Sequence, residues 1–296
     1  MTYTKAGVKA GAPERLRALL AEPGFVVMPA VWDGLSAKLA AEAGFQTAFL
    51  SGSCVAAARL GGPDLDLLSA AEMLDSFHQV RGAAPDTLVL ADADHGYGNA
   101  MNVQRTVRAL GRGGAAAVLI EDKVTPRALT ADGKPCLPRE EARIKVRAAV
   151  EAARESGLLV MARTDCRPTA GLAEALARIE LFVAEGADIL FFDSPANEDE
   201  VRQAVAAAGG RASFAVLSPG GKRETPTQAR AAELGLKIGT HPTAMLSPAL
   251  AAMRAGLAAI KSGEGEAAGA LSTAEFRSAL GYDAYQTEAR RFAPRE

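Results

Sequence analysis

A (β/α)8 barrel is the fold class the sequence predicts, and three observations predict it. The first is a repeated unit in which a helix stops at glycine, a short apolar run follows, and a polar residue ends it. It occurs at Gly44 before 47–50 and Ser51, at Gly113-Gly114 before 115–120 and Glu121, at Gly186 before 187–192 and Asp193, and at Gly235 before 236–241. Glycine supplies the left-handed helix stop, and a continuous apolar run suits a strand buried on both faces. The second is the alternation of such runs with helical stretches, which marks parallel βαβ units. The third is that the first strand leads into Val31-Trp32-Asp33-Gly34 and not into G-x-G-x-x-G, which disfavours an open dinucleotide-binding sheet.

In chain order the predicted strands are 25–29, 47–50, 87–94, 115–120, 158–165, 187–192, 213–218 and 236–241. Apolar spacing of three and four predicts helices over 35–43, 103–110, 140–155 and 172–183. Eight such units in 296 residues fit one barrel domain over 1–296. Ser262-Gly263-Glu264-Gly265-Glu266 reads as a short break. Beyond it, 273–280 and 285–292 read as helices outside the barrel. This C-terminal arm, 266–296, is expected to pack on a neighbouring subunit, giving a homodimer or homotetramer.

Lys and Arg total 33 against 35 Asp and Glu, a net charge of −2 that gives no electrostatic reason to expect nucleic acid or a membrane as partner. With 49% hydrophobic and 23% charged residues the chain is globular in composition. Cys54, Cys136 and Cys166 are an odd count without C-x-x-C spacing, which speaks against a disulfide framework or a structural zinc. No signal-like or membrane-spanning run is present, so the expected location is the cytoplasm.

Active sites of such barrels lie at the C-terminal strand ends. Those ends carry Asp33, Ser51-Gly52-Ser53, Asp92 and Asp94, Glu121-Asp122, Arg163 with Asp165, Asp193, Ser218 and His241. Carboxylates converging on one mouth repel each other, and a divalent cation is the natural compensation. Asp92 and Asp94 alternate by two, which on a strand puts both on one side of the pleat. Hard oxygen donors without paired His or Cys point to magnesium or manganese rather than zinc. The plain alternative is that these acids cap helices or form salt bridges. His95-Gly96-Tyr97-Gly98-Asn99 reads as a tight loop letting backbone approach a ligand, or as an ordinary loop with Tyr97 packed inward. His241 suits acid–base work or a structural place. Tyr97, Arg163 and His241 are the candidate catalytic groups.

The run Asp92-Ala93-Asp94-His95-Gly96-Tyr97-Gly98-Asn99, then Ile120-Glu121-Asp122, then Ala162-Arg163-Thr164-Asp165 closely resembles the isocitrate lyase/phosphoenolpyruvate mutase superfamily. Pro29-Ala30-Val31-Trp32-Asp33, Ser51-Gly52-Ser53 and Gly62-Pro63-Asp64 match it too, so the resemblance spans about 29–261. It implies a barrel that binds Mg²⁺ and a 2-oxo acid or its enolate. By position it implies Asp92 as the direct metal ligand, with Asp64, Asp94 and Glu121 holding metal-bound water. It further implies Ser51, Gly52 and Ser53 around the substrate carboxylate, and Arg163 on the oxo-acid oxygens.

Lyases of the isocitrate and methylisocitrate type carry Lys-Lys/Arg-Cys-Gly-His after the fourth strand, and the phosphonate members carry Lys-x-Asn-Ser. This chain has Lys123-Val124-Thr125-Pro126-Arg127-Ala128-Leu129-Thr130, with Cys136 further on. The resemblance therefore runs closest to the oxaloacetate decarboxylase branch, although that branch has a His where this chain has Thr243. Decarboxylation of oxaloacetate is the expected reaction. Cleavage of a 2-methylisocitrate or 2,3-dimethylmalate type substrate is the rival, and a non-catalytic dicarboxylate-binding barrel is the alternative of a different class. The segment 123–138, punctuated by Pro126, Gly133, Pro135 and Pro138, is expected to act as a lid.

Overall fold

The structure, a computed structural model, describes residues 11–126, 134–218 and 225–293. Eight parallel strands close into a barrel in sequence order, β1 (Val26–Val31), β2 (Thr47–Leu50), β3 (Leu88–Asp92), β4 (Ala117–Glu121), β5 (Leu159–Thr164), β6 (Ile189–Phe192), β7 (Ala212–Val216) and β8 (Ile238–His241). β1 pairs with β8 through Val26 opposite Ile238 and Pro29 opposite His241, which removes both sheet edges. All eight expected strands are present, each with both ends within two residues of those expected.

Packing follows the two-residue period of the strands. Leu88, Leu90, Ala117, Leu119, Leu159 and Met161 face one buried cluster together with Met28, Phe49, Ile189 and Phe214. Their neighbours Val89, Ala91, Val118, Ile120, Val160 and Ala162 belong to a second cluster, with Phe77, Val107, Val146 and Phe182 from the surrounding helices. The first fills the barrel and the second cements the helical coat.

The helices of the barrel unit are α1 (Ala12–Ala21), α2 (Gly34–Glu42), α3 (Gly52–Leu60), α4 (Ala70–Ala83), α5 (Ala100–Arg112), α6 (Arg139–Ala153), α7 (Arg167–Ala170), α8 (Leu172–Glu185), α9 (Glu198–Ala207) and α10 (Gln228–Glu233). α1 has no counterpart in the strand–helix rhythm. Its Leu16 is fully buried in the inner cluster, and Arg15 and Arg17 reach the carbonyls of Asp86 and Gly157, just before β3 and β5. It plugs the end of the barrel opposite the strand C-termini.

The chain divides into two compact units, 1–245 and 246–296. The second unit holds α11 (Leu246–Ser262), α12 (Thr273–Ala279) and α13 (Tyr282–Arg290). Among the described residues, no helix is long and apolar enough to cross a membrane.

Candidate active site

β3 ends at Asp92, whose Oδ1 accepts the Asp94 N–H at 3.0 Å and whose Oδ2 accepts the Gly52 N–H at 3.1 Å. Asp94 lies past the strand with φ +46°, so a turn and not the pleat brings the two acids together, a correction to the alternation argument. Tyr97, at φ +61°, donates its hydroxyl to Asp94 Oδ2 at 3.0 Å. Gly96 and Gly98 also have positive φ, and a Cβ on either would stand 2.4 Å from Val103 or Asn102. These glycines let the loop fold onto the first turn of α5, so the close approach is to the protein's own helix.

Asp64, Asp92, Asp94, Glu121 and Arg163 line one small cavity of about 40 Å³. Glu121 and Arg163 are register partners across β4 and β5, which sets the acid beside the guanidinium at 3.4 Å. Arg163 forks onto Asp165 with contacts of 2.8 and 2.6 Å, lies 3.5 Å from Asp193 and stacks over Phe191. Two lysines, with Val124 and Pro135, complete the lining. Lys123 Nζ meets Glu121 and Asp66, and Lys134 Nζ meets Asp165 at 2.6 Å. Sequence reasoning missed both, because each lies on a loop beyond a strand end, where side chains carry no periodic signal.

Burial raises the carboxyls. Asp92 is pushed up to about 7 by desolvation and the neighbouring Asp94 charge, Asp94 to about 6 by desolvation and Glu121, and Glu121 to about 7 by desolvation against the pull of Arg163. Asp165 goes the other way, held far below the usual carboxylate range because Arg163 and Lys134 outweigh its burial. His95 is lowered to about 4 by burial and by Lys145 and Lys123, so it is neutral.

The remaining strand-end residues divide by role. Ser51, Gly52 and Ser53 open α3, with Ser51 Oγ and Ser53 Oγ 3.0 Å apart. A Cβ at Gly52 would press on Asp92 Oδ2 at 3.0 Å, so glycine lets this helix start approach the acid pair without displacing that carboxylate. His241 stands apart from the cavity lining, its Nε2 2.9 Å from the Gln228 amide nitrogen. Asp33 caps α2 by accepting the Ser36 N–H at 2.7 Å. Asp122 is a buried partner of Arg178 at 3.0 Å. For these two acids the plain alternative of capping and pairing describes what they do.

Of the expected lid, residues 127–133, including Arg127 to Thr130, Asp132 and Gly133, lie outside the described residues. Its two stems pair as a short antiparallel ladder, Lys123 opposite Cys136, with Val124 N–H donating to Pro135 O and Leu137 N–H to Asp122 O, both at 2.8 Å. Cys136 is absent from the cavity lining and packs on the outer core cluster. Its hydrogen bond with Cys166 and its burial keep its thiol neutral.

The donor set fits a hard divalent cation: carboxylate oxygens converge on a small polar cavity beside the start of a helix. Among the described residues no three His, Cys, Asp or Glu groups form a ready-made cage. Mg²⁺ suits such a place, because it keeps several waters and needs only one or two direct carboxylates.

The phosphoenolpyruvate phosphomutase family matches residues 16–261 of the chain. The oxaloacetate decarboxylase of Paraburkholderia xenovorans (strain LB400) is 40% identical over 188 residues, covering 63% of this chain and 62% of that protein. The 2,3-dimethylmalate lyase of Eubacterium barkeri is 36% identical over 240 residues, 81% of this chain and 82% of that one. A crystal structure of 2,3-dimethylmalate lyase superposes with a TM-score of 0.88 at 31% identity, covering 97% of each chain. A phosphonopyruvate hydrolase in complex with oxalate and Mg²⁺ superposes at 0.83 and 27% identity, over 96% of this chain and all of that one. The family match, the closed barrel and the acid cluster at its strand ends agree: the chain belongs to the phosphoenolpyruvate phosphomutase family of the PEP mutase/isocitrate lyase superfamily.

Proposed function

We propose that the protein is a Mg²⁺-dependent carboxy-lyase that decarboxylates oxaloacetate, or a close 2-oxo diacid, to a 2-oxo acid and CO₂ through an enolate. One observation carries this reading. The described cavity lining offers carboxylates, an arginine and two lysines but no thiol or imidazole, and 123–130 contains neither Cys nor His. A lyase of the isocitrate type uses a cysteine at that place in the loop, whereas a decarboxylase needs only an electron sink and a proton for carbon.

A bound Mg²⁺, or Mn²⁺, would supply the sink by polarising the 2-oxo group. Asp92 would hold it directly, and Asp64, Asp94 and Glu121 through water. Arg163, already fixed by Asp165, would grip the oxo-acid oxygens without losing much side-chain freedom. Ser51, Gly52 and Ser53 would receive a substrate carboxylate at the start of α3, where backbone N–H groups lack helical partners. Tyr97 orients Asp94 and excludes water from its side. The same reading makes the enzyme a cytoplasmic homodimer or homotetramer.

A second reading, carbon–carbon cleavage of a 2,3-dimethylmalate or 2-methylisocitrate type substrate, is favoured by the breadth of the match to 2,3-dimethylmalate lyase. Purified protein with Mg²⁺ and a panel of 2-oxo and 2-hydroxy diacids distinguishes the two. CO₂ release from oxaloacetate is expected. Release of a 2-oxo acid from a branched 2-hydroxy diacid, without CO₂ from oxaloacetate, would transfer the assignment to the second reading. Binding without turnover of any diacid would leave a dicarboxylate-binding barrel.

A further inference from the structure

We propose that Lys123 is a resident counter-ion of the acid cluster, competing with the divalent cation for Glu121 and Asp94, and that Asp66 is the positioning residue that holds it in reserve. The inference rests on the metal reading above but concerns affinity rather than the reaction.

Lys123 is delivered to the cavity by a fixed backbone. It lies on one stem of the 123–137 ladder, whose hydrogen bonds bracket it on both sides. Its Nζ is 2.8 Å from Asp66 Oδ1, in contact with Glu121 Oε1 and 3.8 Å from Asp94 Oδ1. The Lys123 side chain is 11% exposed and that of Asp66 only 2%. Glu121 and Asp94 line the cavity that fits the cation, so ammonium and cation draw on the same oxygens.

Asp66 bears costs that need a return. Its φ is +62°, a conformation that favours glycine, and its Oδ2 is buried without a hydrogen-bond partner among the described residues. The ion pair to Lys123 offsets these costs. With one carboxylate pulling the ammonium away from Glu121 and Asp94, its charge is shared between a tether and the metal-site acids. Removing the ammonium should therefore tighten cation binding. Removing the tether should weaken it, because the ammonium then falls wholly to Glu121 and Asp94.

Titration calorimetry of the metal-stripped full-length protein with MgCl₂ alone, near pH 8, tests this without substrate. Lys123→Met should tighten Mg²⁺ binding roughly tenfold or more, as expected when a like charge a few ångströms away is removed from a partly buried site. Lys123→Gln, one bond shorter, keeps an uncharged donor that can face Asp66 and should move affinity the same way, which preserves the test if the methionine variant folds poorly. Asp66→Asn should weaken binding, and most of that loss should vanish in the Lys123→Met background, since the tether then has nothing to hold. The metal-free melting temperature of Lys123→Met should fall and recover on adding Mg²⁺. Unchanged or weaker Mg²⁺ binding in both Lys123 variants overturns the proposal while leaving the metal site standing. Absence of Mg²⁺ binding in wild type and every variant overturns the metal reading itself.

Discussion

At the scale of single residues the site is a set of acids kept away from their usual charge state. The carboxyls of Asp92, Asp94 and Glu121 are raised to about 7, 6 and 7, whereas the unfolded chain ionises them near pH 4. Their contribution to stability is therefore complete below about pH 4 and is lost as pH rises through 6 and 7. His95, lowered to about 4, opposes them only below its ordinary value near 6.5. The metal-free protein should thus melt at progressively lower temperature as pH rises from about 4.5 to about 7.5 in a calorimetric series, and level off above that, with the fall reduced by saturating Mg²⁺. Asp92→Asn removes one repelling charge while keeping an oxygen that can accept the Gly52 or Asp94 N–H. Its metal-free melting temperature at pH 8 should equal or exceed wild type, and turnover should drop by roughly 10²–10³-fold or more. Full activity in Asp92→Asn would remove that carboxylate from the metal-binding role.

At the scale of elements, the β4–α6 connection is a ladder clamped from outside. Arg178, on α8, donates to Asp122 Oδ2 at 3.0 Å, to Leu137 O at 2.8 Å and to Glu174 at 2.8 Å. One guanidinium thereby ties the end of β4, the returning stem and its own helix. Arg178→Met strands the buried Asp122 carboxylate, and urea unfolding should show a loss of about 3–5 kcal/mol. Cys136 sits on the same stem with its sulfur 3.6 Å from Lys134 O, outside the cavity lining. Cys136→Ser should keep most of the decarboxylation rate. A collapse of several orders of magnitude with Mg²⁺ binding intact would make this thiol the proton donor and favour the lyase reading.

For the whole molecule, the barrel unit is closed, but the second unit exposes apolar side chains at helical spacing. On α11, Leu250, Met253, Leu257 and Ile260 are 43%, 57%, 67% and 66% exposed, and Phe276 and Tyr285 beyond it are 52% and 76% exposed. Apolar surface of this extent on a short segment is the signature of an interface. A second copy of the chain is the expected occupant, although α11 lies before the 266–296 arm expected to carry the subunit contact. Leu257→Glu with Ile260→Glu should leave the barrel folded, since both side chains are exposed, and light scattering should report a smaller assembly. A wild-type mass for that variant would place the subunit contact elsewhere.

The sequence by itself determined the architecture, because strand burial and helix stops are written in local patterns: uninterrupted apolar runs, glycines after helices, and the alternation of such runs with helical stretches. It also determined where chemistry concentrates, since strand C-termini meet at one mouth whatever the loops do. The tertiary structure alone decided which polar residues belong to that mouth. Asp92 and Asp94 meet through a left-handed turn that a strand period does not describe. Asp33 and Asp122 look like Asp92 in sequence, but one caps a helix and the other pairs with an arginine 56 residues away. Asp66, Lys123 and Lys134 come from loops whose side chains carry no periodic signal, and long-range ion pairing is set by which loops share space, not by neighbours in the chain.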